Sequence, residues 1–282
     1  MNYLLSLLNL CRPVNLLLGC FTVLMSAYMM DEFPHVETLI EAIVVVVSFV
    51  GASNAFNDYV DFDIDTINRP NRPLPKLQLT KKSALHISIA LFILGSVASI
   101  ALEPAATTIA MGAVLPVAIV YSTSLKGLPL VGNAAVAFTV GMTFIFSGAA
   151  FGDAMALLTP AIITFGFSFI RELIKDIEDI EGDRRADLKT FPILFGDRVA
   201  AKLSSALIIA LLVASVVPYC RGDYGMPYMM LFTLGVSWPL CISIGLLIGT
   251  PATQTYSNIA NLMKVCMFVG LVAIGMGESI LA

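Results

Sequence analysis

Long apolar runs, separated by short polar connections, dominate this sequence. An α-helix needs about 20 apolar residues to cross a bilayer, and nine runs approach or exceed that length. They lie at 14–30, 38–57, 84–102, 105–121, 130–150, 154–174, 201–219, 226–249 and 262–281. Hydrophobic residues make up 58% of the 282 residues and charged residues 13%, a balance that excludes an ordinary soluble domain. The sequence predicts a polytopic all-α membrane protein whose nine transmembrane helices form one domain over residues 1–282.

The basic residues are distributed unevenly between the connections. If nine spans alternate from a cytoplasmic N-terminus, every Lys and Arg except Arg221 falls on one side of the membrane. Cytoplasmic connections carry an excess of Lys and Arg, and this bias sets the orientation of a membrane protein. We therefore expect a multi-pass protein of the cell membrane, with a cytoplasmic N-terminus and a C-terminus on the opposite side.

Two acidic segments are notable because each closes an apolar run. The first reads NDYVDFDID at 57–65, and the second reads DIEDIEGD at 176–183. Within each segment the acids recur every three or four residues, which places them in one row on a helix. The rows are Asn57, Asp61 and Asp65 in the first segment and Asp176, Asp179 and Asp183 in the second. Two carboxylates about 4 Å apart repel by roughly 4 kcal/mol near a protein surface, so the rows need compensating cations such as a divalent metal.

The two acidic segments are expected to meet at one membrane surface. Spans two and six both run from outside to inside in this topology, so their acidic ends emerge on the cytoplasmic side. The sizeable polar connections follow them, at about 61–82 and 176–200. Pro70, Pro73 and Pro75 favour extended or turn backbone in the first connection. We interpret both connections as a polar cap over the cytoplasmic mouth of a central cavity.

A pair of facing acidic segments suits magnesium that holds a diphosphate. Mg²⁺ takes oxygen ligands and is commonly bound by one or two carboxylates together with substrate phosphates. Such binding favours departure of the diphosphate, and apolar or aromatic walls shelter the carbocation that an allylic diphosphate leaves behind. Acids that point off the two rows are expected to be solvated instead: Asp63, Glu178, Glu181 and Asp187.

Basic residues surround the acidic segments. They are Arg69, Arg72, Lys76, Arg171, Lys175, Arg184, Arg185 and Lys189. An acceptor that itself carries a phosphate needs such additional cations, so the set favours a phosphorylated acceptor over an aromatic one, while the positive-inside bias accounts for part of it. Two further residues have open alternatives. Asn15 is a substrate contact or an interhelical hydrogen-bonding group, and Lys264 is a phosphate contact or a lysine that extends to the membrane interface.

The acidic segments resemble those of a known family. NDYVDFDID fits the NDxxDxxxD signature, and DIEDIEGD the DxxDxxxD signature, of the UbiA superfamily of intramembrane prenyltransferases. Over the whole chain, the sequence is similar to the branch of that superfamily that makes archaeal ether lipids. The similar segments are RPVN at 12–15, IDTINRPNRPLP at 64–75, YSTSLKGLPLVGN at 121–133, RELIKDIEDIEGD at 171–183 and KTFPILFG at 189–196.

The resemblance implies Mg²⁺-dependent transfer of a geranylgeranyl group. Geranylgeranyl diphosphate is the implied donor, and the free hydroxyl of geranylgeranylglyceryl phosphate is the implied acceptor, giving the second ether bond of an archaeal-type lipid. By the family pattern, one magnesium is bound by Asn57, Asp61 and Asp65 and the other by Asp179 and Asp183, with Asp58 and Asp176 assisting. The expected catalytic residues are Asp61, Asp65, Asp179, Asp183 and Lys126. The expected substrate-binding residues are Asn15, Asn57, Arg69, Arg72, Tyr121, Ser122, Arg171 and Lys175.

The segment before Lys126 departs from the family pattern. Lys126 is expected to contact the diphosphate, and Tyr121 stands five residues before it, where many relatives have four. Ser122 occupies the closer spacing. Both residues are therefore candidates for a substrate contact.

Two other functions stay open at this point. A sibling within the superfamily prenylates an aromatic ring or a chlorin or haem side chain. A cation-coupled secondary transporter uses intramembrane acids to carry protons or cations, and it predicts acids near the bilayer midplane with interrupted helices in both halves. Here the acids cluster at one predicted membrane surface. We expect no nucleic-acid or protein partner.

Overall fold

The computed structural model describes residues 3–30, 32–249 and 252–278, and all regular structure within these ranges is helical. The α-helices are α1 (Tyr3–Cys11), α2 (Pro13–Tyr28), α3 (Val36–Val60), α4 (Phe62–Asn68), α5 (Lys81–Ser99), α6 (Pro104–Ile109), α7 (Leu115–Val120), α8 (Val131–Ala150), α9 (Leu158–Glu178), α10 (Ile180–Arg185), α11 (Phe191–Phe195), α12 (Asp197–Arg221), α13 (Met226–Phe232), α14 (Trp238–Ile248) and α15 (Thr253–Glu278). Three π-helical turns occupy Ala110–Val114, Tyr121–Leu125 and Thr233–Ser237. The predicted all-α class is confirmed.

Seven helical segments of the described chain are long and apolar enough to cross a membrane. They are Val36–Val60, Lys81–Ser99, Pro104–Leu125, Val131–Ala150, Asp197–Arg221, Met226–Ile248 and Thr253–Gly277, and each overlaps a predicted span. The two other predicted spans overlap α2, which forms a bent pair with α1, and the 21-residue α9, which carries charges in its last turns. The prediction of a multi-pass helical membrane protein is thus confirmed.

The finer topological predictions go beyond these helices. The count of nine spans, the cytoplasmic position of the cap and the single domain over residues 1–282 stay predictions. The end of the last predicted span and the C-terminus, residues 279–282, lie outside the described residues.

The N-terminal helices bend at Arg12. The axes of α1 and α2 differ by 53°, and Arg12 between them has a φ angle of 57°. Pro13 disfavours a helical conformation in the residue before it, and left-handed backbone is uncommon for a residue that carries a side chain. The Arg12 guanidinium crosses from this bend to α3, where it donates to Oδ1 of Asp58 at 2.6 Å. A strained backbone position is therefore linked to the first acidic segment.

Two of the three π turns precede a proline. Pro116 and Pro239 lie in the first turn of α7 and α14, directly after the turns at Ala110–Val114 and Thr233–Ser237. A proline ring in a helix interior clashes with the carbonyl four residues earlier and removes a hydrogen bond. The wider π turn, with hydrogen bonds across five residues, accommodates both effects. The third π turn, at Tyr121–Leu125, lies at the functional site described below.

Helix α9 packs against α8, α12 and α15. Small residues allow close approach of its backbone to α8. A methyl group on Gly141 would lie only 2.9 Å from the carbonyl oxygen of Ala161, and membrane helices commonly pack through such small residues. Helix α3 packs against α2 and α5. The C-terminal ends of α3 and α9 both contribute side chains to the wall of one cavity, from Asn57 and Glu178.

The segments that follow α3 and α9 meet. Helix α4 follows α3, helix α10 follows α9, and α4 packs against α10. Gly182 of α10 makes this contact possible, because a methyl group there would lie 1.8 Å from Oδ1 of Asn68. The two long polar connections therefore come together at the acidic ends of α3 and α9, and α11 lies farther along the second connection.

Candidate active site

A cavity of 560 Å³ lies between the two acidic ends. Its polar part is lined by Asn57 and Glu178 of the two acidic segments, by Arg12 of the N-terminal bend and by Arg72 of the connection after α4. The aromatic residues of its wall are Phe49, Tyr121, Phe144, Phe146, Phe167, Tyr228, Phe232 and Phe268. A polar mouth joined to an apolar interior suits an amphiphilic ligand with an anionic head and a long hydrocarbon tail.

Arg72 joins two carboxylates of the first acidic segment. Its Nη1 atom lies 3.1 Å from Oδ1 of Asp58 and 2.5 Å from Oδ2 of Asp65. Arg12 donates to the same oxygen of Asp58. Asp58 and Asp65 are 2% and 4% exposed, and a buried carboxylate is costly unless a cation compensates it. The two arginines provide that compensation.

Asp61 contacts both Asn57 and Lys126. Nδ2 of Asn57 donates to Oδ2 of Asp61 at 2.5 Å, and the Lys126 ammonium contacts the same oxygen. Asp61 is also buried. The three buried carboxylates of the first acidic segment, Asp58, Asp61 and Asp65, are therefore matched by three cations, Arg12, Arg72 and Lys126.

The π turn at Tyr121–Leu125 accounts for the unusual spacing before Lys126. The backbone N–H of Lys126 donates to the carbonyl of Tyr121 at 3.0 Å, a hydrogen bond across five residues. Because a π turn closes over five residues instead of four, Tyr121 lies on the side of the helix that Lys126 occupies. Tyr121 and Ser122 both line the cavity. The five-residue spacing thus keeps Tyr121 among the candidate substrate contacts.

Each acidic segment crosses a helix break. Asp61 stands between α3 and α4, and Asp179 stands in the same way between α9 and α10. The backbone N–H of Asp65 still donates to Asp61 at 2.8 Å, and that of Asp183 to Asp179 at 3.0 Å. The spacing of the acids did not predict these breaks. The break redirects each chain so that α4 and α10 can pack against each other.

Arg69 contacts two acids at the start of the second acidic segment. Its guanidinium donates to Oε1 of Glu178 at 3.0 Å and lies 2.9 Å from Oδ1 of Asp179. The prediction of a solvated Glu178 was wrong, because this side chain is only 13% exposed and lines the cavity. The other acids expected to be solvated are exposed: Asp63, Glu181 and Asp187.

The remaining two acids of the second row are paired with amides. Nδ2 of Asn133 donates to Asp176 at 2.7 Å, and Nδ2 of Asn68 donates to Asp183 at 3.4 Å. Within residues 3–30, 32–249 and 252–278, neither Asp176 nor Asp183 forms an ion pair. The second acidic segment therefore carries more negative charge than its direct partners neutralise.

Burial raises the pKa of the carboxyl groups that follow the helix breaks. Loss of solvent, with a smaller contribution from Asp179, raises the pKa of Asp183 to about 6. Loss of solvent also raises the pKa of Asp179 and of Asp65, against the opposing effects of Arg69 and Arg72. A raised carboxyl pKa means that the surroundings disfavour the charged form of the carboxyl group. An added cation would stabilise these carboxylates.

The donor set of the two segments fits a divalent metal that is shared with a ligand. Carboxylate and amide oxygens are suitable ligands for hard divalent cations. In the described part of the chain, no group of three or more His, Cys, Asp or Glu side chains forms a complete metal site. This arrangement agrees with Mg²⁺ chemistry, in which one or two carboxylates and substrate phosphates complete the coordination together.

The structure places every predicted substrate-binding residue at the cavity wall. They are Asn15, Asn57, Arg69, Arg72, Tyr121, Ser122, Arg171 and Lys175. The predicted aspartate ligands lie behind this wall, in contact with Arg12, Arg69, Arg72, Lys126 and the two amides. Four predicted cations do not line the cavity and are exposed: Lys76, Arg184, Arg185 and Lys189.

Sequence reasoning missed five polar residues of the site. They are Arg12, Asn68, Asn133, Glu172 and Glu178. Glu172 is buried and accepts from Arg171 at 2.6 Å and from Lys175 at 2.9 Å. The sequence did contain a signal, because each of the five lies inside a segment that carries the family resemblance.

Comparison with known sequences identifies the family. Residues 17–270 match the UbiA prenyltransferase family. The chain is 34% identical over 271 residues to digeranylgeranylglyceryl phosphate synthase of Methanopyrus kandleri, covering 94% of this chain and 96% of that protein. It is 35% identical over 269 residues to the protein of the same name from Thermococcus kodakarensis, covering 95% and 96%.

Solved structures share the fold. A structure described as digeranylgeranylglyceryl phosphate synthase in membranes superposes with a TM-score of 0.77 at 26% identity and covers 99% of both chains. A UbiA homolog from Archaeoglobus fulgidus, bound to DMAPP and Mg²⁺, superposes with a TM-score of 0.69 at 16% identity, covering 95% of this chain and 99% of that one. Because the family match extends over most of its length, this chain belongs to the UbiA prenyltransferase family, as the resemblance of its acidic segments predicted.

Proposed function

We propose that this chain is a Mg²⁺-dependent prenyltransferase that makes the second ether bond of archaeal-type membrane lipids. It transfers a geranylgeranyl group from geranylgeranyl diphosphate to the free hydroxyl of geranylgeranylglyceryl phosphate. The observation that carries the proposal is the pairing of two acidic segments at the polar end of an apolar cavity. The names of the relatives from M. kandleri and T. kodakarensis support the choice of reaction.

Magnesium is the metal that we assign to the acidic segments. The residues that would hold it are Asn57, Asp61 and Asp65 in the first segment and Asp179 and Asp183 in the second, assisted by Asp58 and Asp176. When bound, Mg²⁺ neutralises the diphosphate and so favours its departure. The uncompensated charge of the second segment supports this assignment, because buried carboxylates without a cation are costly.

The cations beside the acidic segments would position the diphosphate. Lys126, Arg69 and Arg72 each carry N–H donors that reach carboxylates of the segments. The same donors can turn to phosphate oxygens and stabilise the charge that develops on the leaving group. Arg69 and Arg72 also line the cavity, so a diphosphate at its polar end lies within their reach.

The apolar wall would shelter the reacting prenyl group. Breaking the bond between C1 and the diphosphate oxygen leaves positive charge on the allylic carbons. Aromatic faces such as those of Phe144 and Phe167 stabilise a nearby cation, and exclusion of water protects it from hydrolysis. The acceptor hydroxyl oxygen then bonds to C1 and gives its proton to the released diphosphate, which yields the ether.

We assign this reaction to the cytoplasmic face of the cell membrane. With nine alternating spans, every Lys and Arg except Arg221 lies on the side of the acidic segments. The N-terminus is then cytoplasmic, the C-terminus is on the opposite side, and residues 1–282 form one membrane domain. Proteolysis or cysteine labelling of sealed vesicles tests this orientation independently of the reaction.

A transfer assay tests the proposed reaction. The purified protein in lipid or detergent is incubated with labelled geranylgeranyl diphosphate, geranylgeranylglyceryl phosphate and Mg²⁺, with EDTA as a control. We expect a metal-dependent, doubly alkylated glyceryl phosphate in the mass spectrum. Transfer to an aromatic, chlorin or haem acceptor, but not to the glyceryl phosphate, would overturn the acceptor. Ion flux in proteoliposomes without diphosphate release would favour a transporter instead.

A further inference from the structure

A second group of cations lines the cavity between α9 and α15. Arg171 and Lys175 stand four residues apart on α9 and therefore share one face of the helix. Lys264 stands on α15, and Ser257 and Asn261 share its face at a spacing of seven and three residues. All five side chains line the cavity. Two polar helix faces thus look into the same space.

The two faces are held together by Arg171. Its Nε atom donates to the backbone carbonyl of Ala260 on α15 at 3.2 Å. Ala260 lies one helical turn before Lys264, so this bond fixes Arg171 close to the lysine. Arg12 and Lys175 line the same cavity as Arg171 and Lys264. Four cations therefore face one cavity.

These cations are not neutralised by the carboxylates around them. Arg171 and Lys175 share a single carboxylate, Glu172. Arg12 is paired with Asp58, and Lys264 forms no ion pair with any residue that the structure describes. In direct ion pairs, the three positive charges of Arg171, Lys175 and Lys264 thus have one carboxylate partner among the described residues. The second acidic segment has the opposite imbalance, so the polar end of the cavity has a negative side and a positive side.

An imbalance of this kind needs an anion. A lysine that only extended to the membrane interface would point away from other cations, whereas Lys264 lines the cavity among three of them. Like charges held together at low exposure are costly unless a ligand compensates them. The hydroxyl of Ser257 and the amide of Asn261 add hydrogen-bonding groups suited to phosphate oxygens.

We propose that Arg171, Lys175 and Lys264 bind the phosphate monoester of the acceptor at a subsite separate from the diphosphate site. This inference rests on the proposed function. Tyr121 lines the same cavity as Asn57 of the first acidic segment and Arg171 of the subsite. An acceptor anchored through its phosphate would direct its free hydroxyl from this subsite toward the prenyl group held at the acidic segments. The subsite selects phosphorylated acceptors over neutral glycerol ethers.

Kinetics of Lys264→Gln test the subsite. With geranylgeranyl diphosphate saturating, we expect the KM for geranylgeranylglyceryl phosphate to rise about 10- to 100-fold, the loss typical of one charge-assisted hydrogen bond. The KM for the diphosphate donor should stay within about twofold, and Lys264→Arg should recover most of the acceptor affinity. The exposed Lys82→Gln is the matched control and should leave both values unchanged. Equal increases in both KM values, or no change in either, would overturn the subsite.

Direct binding separates the subsite from the proposed reaction. Dodecyl phosphate, a simple alkyl phosphate monoester, should raise the thermal stability of the metal-free wild-type protein in detergent, and Lys264→Gln should lose this effect. Dodecanol and inorganic phosphate are the controls for the tail and the anion alone. If the wild type binds dodecyl phosphate through Lys264 but makes no ether product, the proposed reaction fails and the subsite stands. Equal stabilisation of wild type and Lys264→Gln would overturn the subsite whatever the reaction.

Discussion

The guanidinium of Arg69 lies 2.9 Å from Oδ1 of Asp179, a residue 110 positions away in the chain. Arg69 follows α4 and Asp179 ends α9, so this ion pair joins the two acidic segments directly. A second donor of the same guanidinium holds Glu178. At the polar end of the cavity, one planar guanidinium thus has two carboxylate partners.

Substitution of Arg69 tests whether its guanidinium is needed for prenyl transfer. In Arg69→Lys, a single ammonium cannot reproduce the planar two-sided contact with Glu178 and Asp179. We expect kcat/KM for prenyl transfer to fall about tenfold or more. Arg185→Lys is the matched control, because Arg185 and its partner Glu181 are 60% and 71% exposed and such surface pairs contribute little. Equal losses in the two variants would contradict a specific role for Arg69.

Lys126 should matter for the chemical step. It contacts Asp61 and follows the π turn at Tyr121–Leu125. If its ammonium stabilises charge on the leaving diphosphate, Lys126→Gln should lower kcat about 10²- to 10³-fold. The exposed Lys82→Gln should keep normal kcat. A Lys126→Gln protein that folds, binds substrate weakly and retains full kcat would assign the lysine to binding alone.

The raised pKa of Asp183 predicts a dependence on pH. A carboxyl whose pKa is about 6 in the folded protein, above its ordinary value of 3.8, favours folding below that ordinary value and loses this contribution as pH rises through about 6. The metal-free wild type should therefore be less stable than Asp183→Asn above about pH 7, and the difference should shrink toward about pH 5. Thermal unfolding in detergent measures this, and a difference that grows on acidification would contradict the pKa.

Protonation of Asp183 should also weaken the binding of Mg²⁺ at low pH. Because a carboxylate must lose its proton to bind a metal, the Mg²⁺ concentration for half-maximal activity should rise as the pH falls through about 6. Activity assays with Mg²⁺ titrations at several pH values measure this. A half-maximal concentration that stays constant between about pH 5 and pH 7 would separate Asp183 from the metal.

The contact of Gly182 with Asn68 predicts the effect of a single methyl group. In Gly182→Ala the new Cβ would lie 1.8 Å from Oδ1 of Asn68, so Asn68 must move away from Asp183. We expect a loss of about 1–3 kcal/mol in stability and lower activity. Gly245→Ala, which meets nothing within 4 Å, should be neutral or slightly stabilising.

A second substitution separates the clash from other effects. Asn68→Ala removes the side chain that Gly182→Ala would strike, so the double variant should be more stable than the sum of the two single changes predicts. Thermal unfolding of the four proteins gives the coupling. Strict additivity would show that α4 and α10 are not in contact at this point.

Much of the site follows from pattern alone. Helical spacing of acids at the ends of two apolar runs predicted two segments at one end of a bundle, and the structure joins them through Arg69 and Asp179. The length of the apolar runs predicted the membrane-spanning helices, because the thickness of the bilayer sets the length of a span. Alternating topology predicted that α3 and α9 run in the same direction, and the structure brings their acidic ends together.

The features that were missed depend on local breaks or on distant partners. The breaks at Asp61 and Asp179 interrupt the helical repeat without a proline or glycine at those positions to announce them. The π turn at Tyr121–Leu125 was visible only as an extra residue before Lys126. Glu178 looked solvated on an ideal helix, but its partner Arg69 comes from a segment 109 residues earlier. Periodicity describes one helix and carries no information on such contacts.

Crystals grown with Mn²⁺ and a non-reactive analogue of geranylgeranyl diphosphate provide the most direct test of whether the two acidic segments hold metal and diphosphate together. We expect anomalous scattering peaks in contact with Asp61 and Asp65 on one side and with Asp179 and Asp183 on the other, with the diphosphate between them. Metal peaks away from both segments, or a diphosphate bound beside Lys264 without metal at either segment, would contradict the assignment.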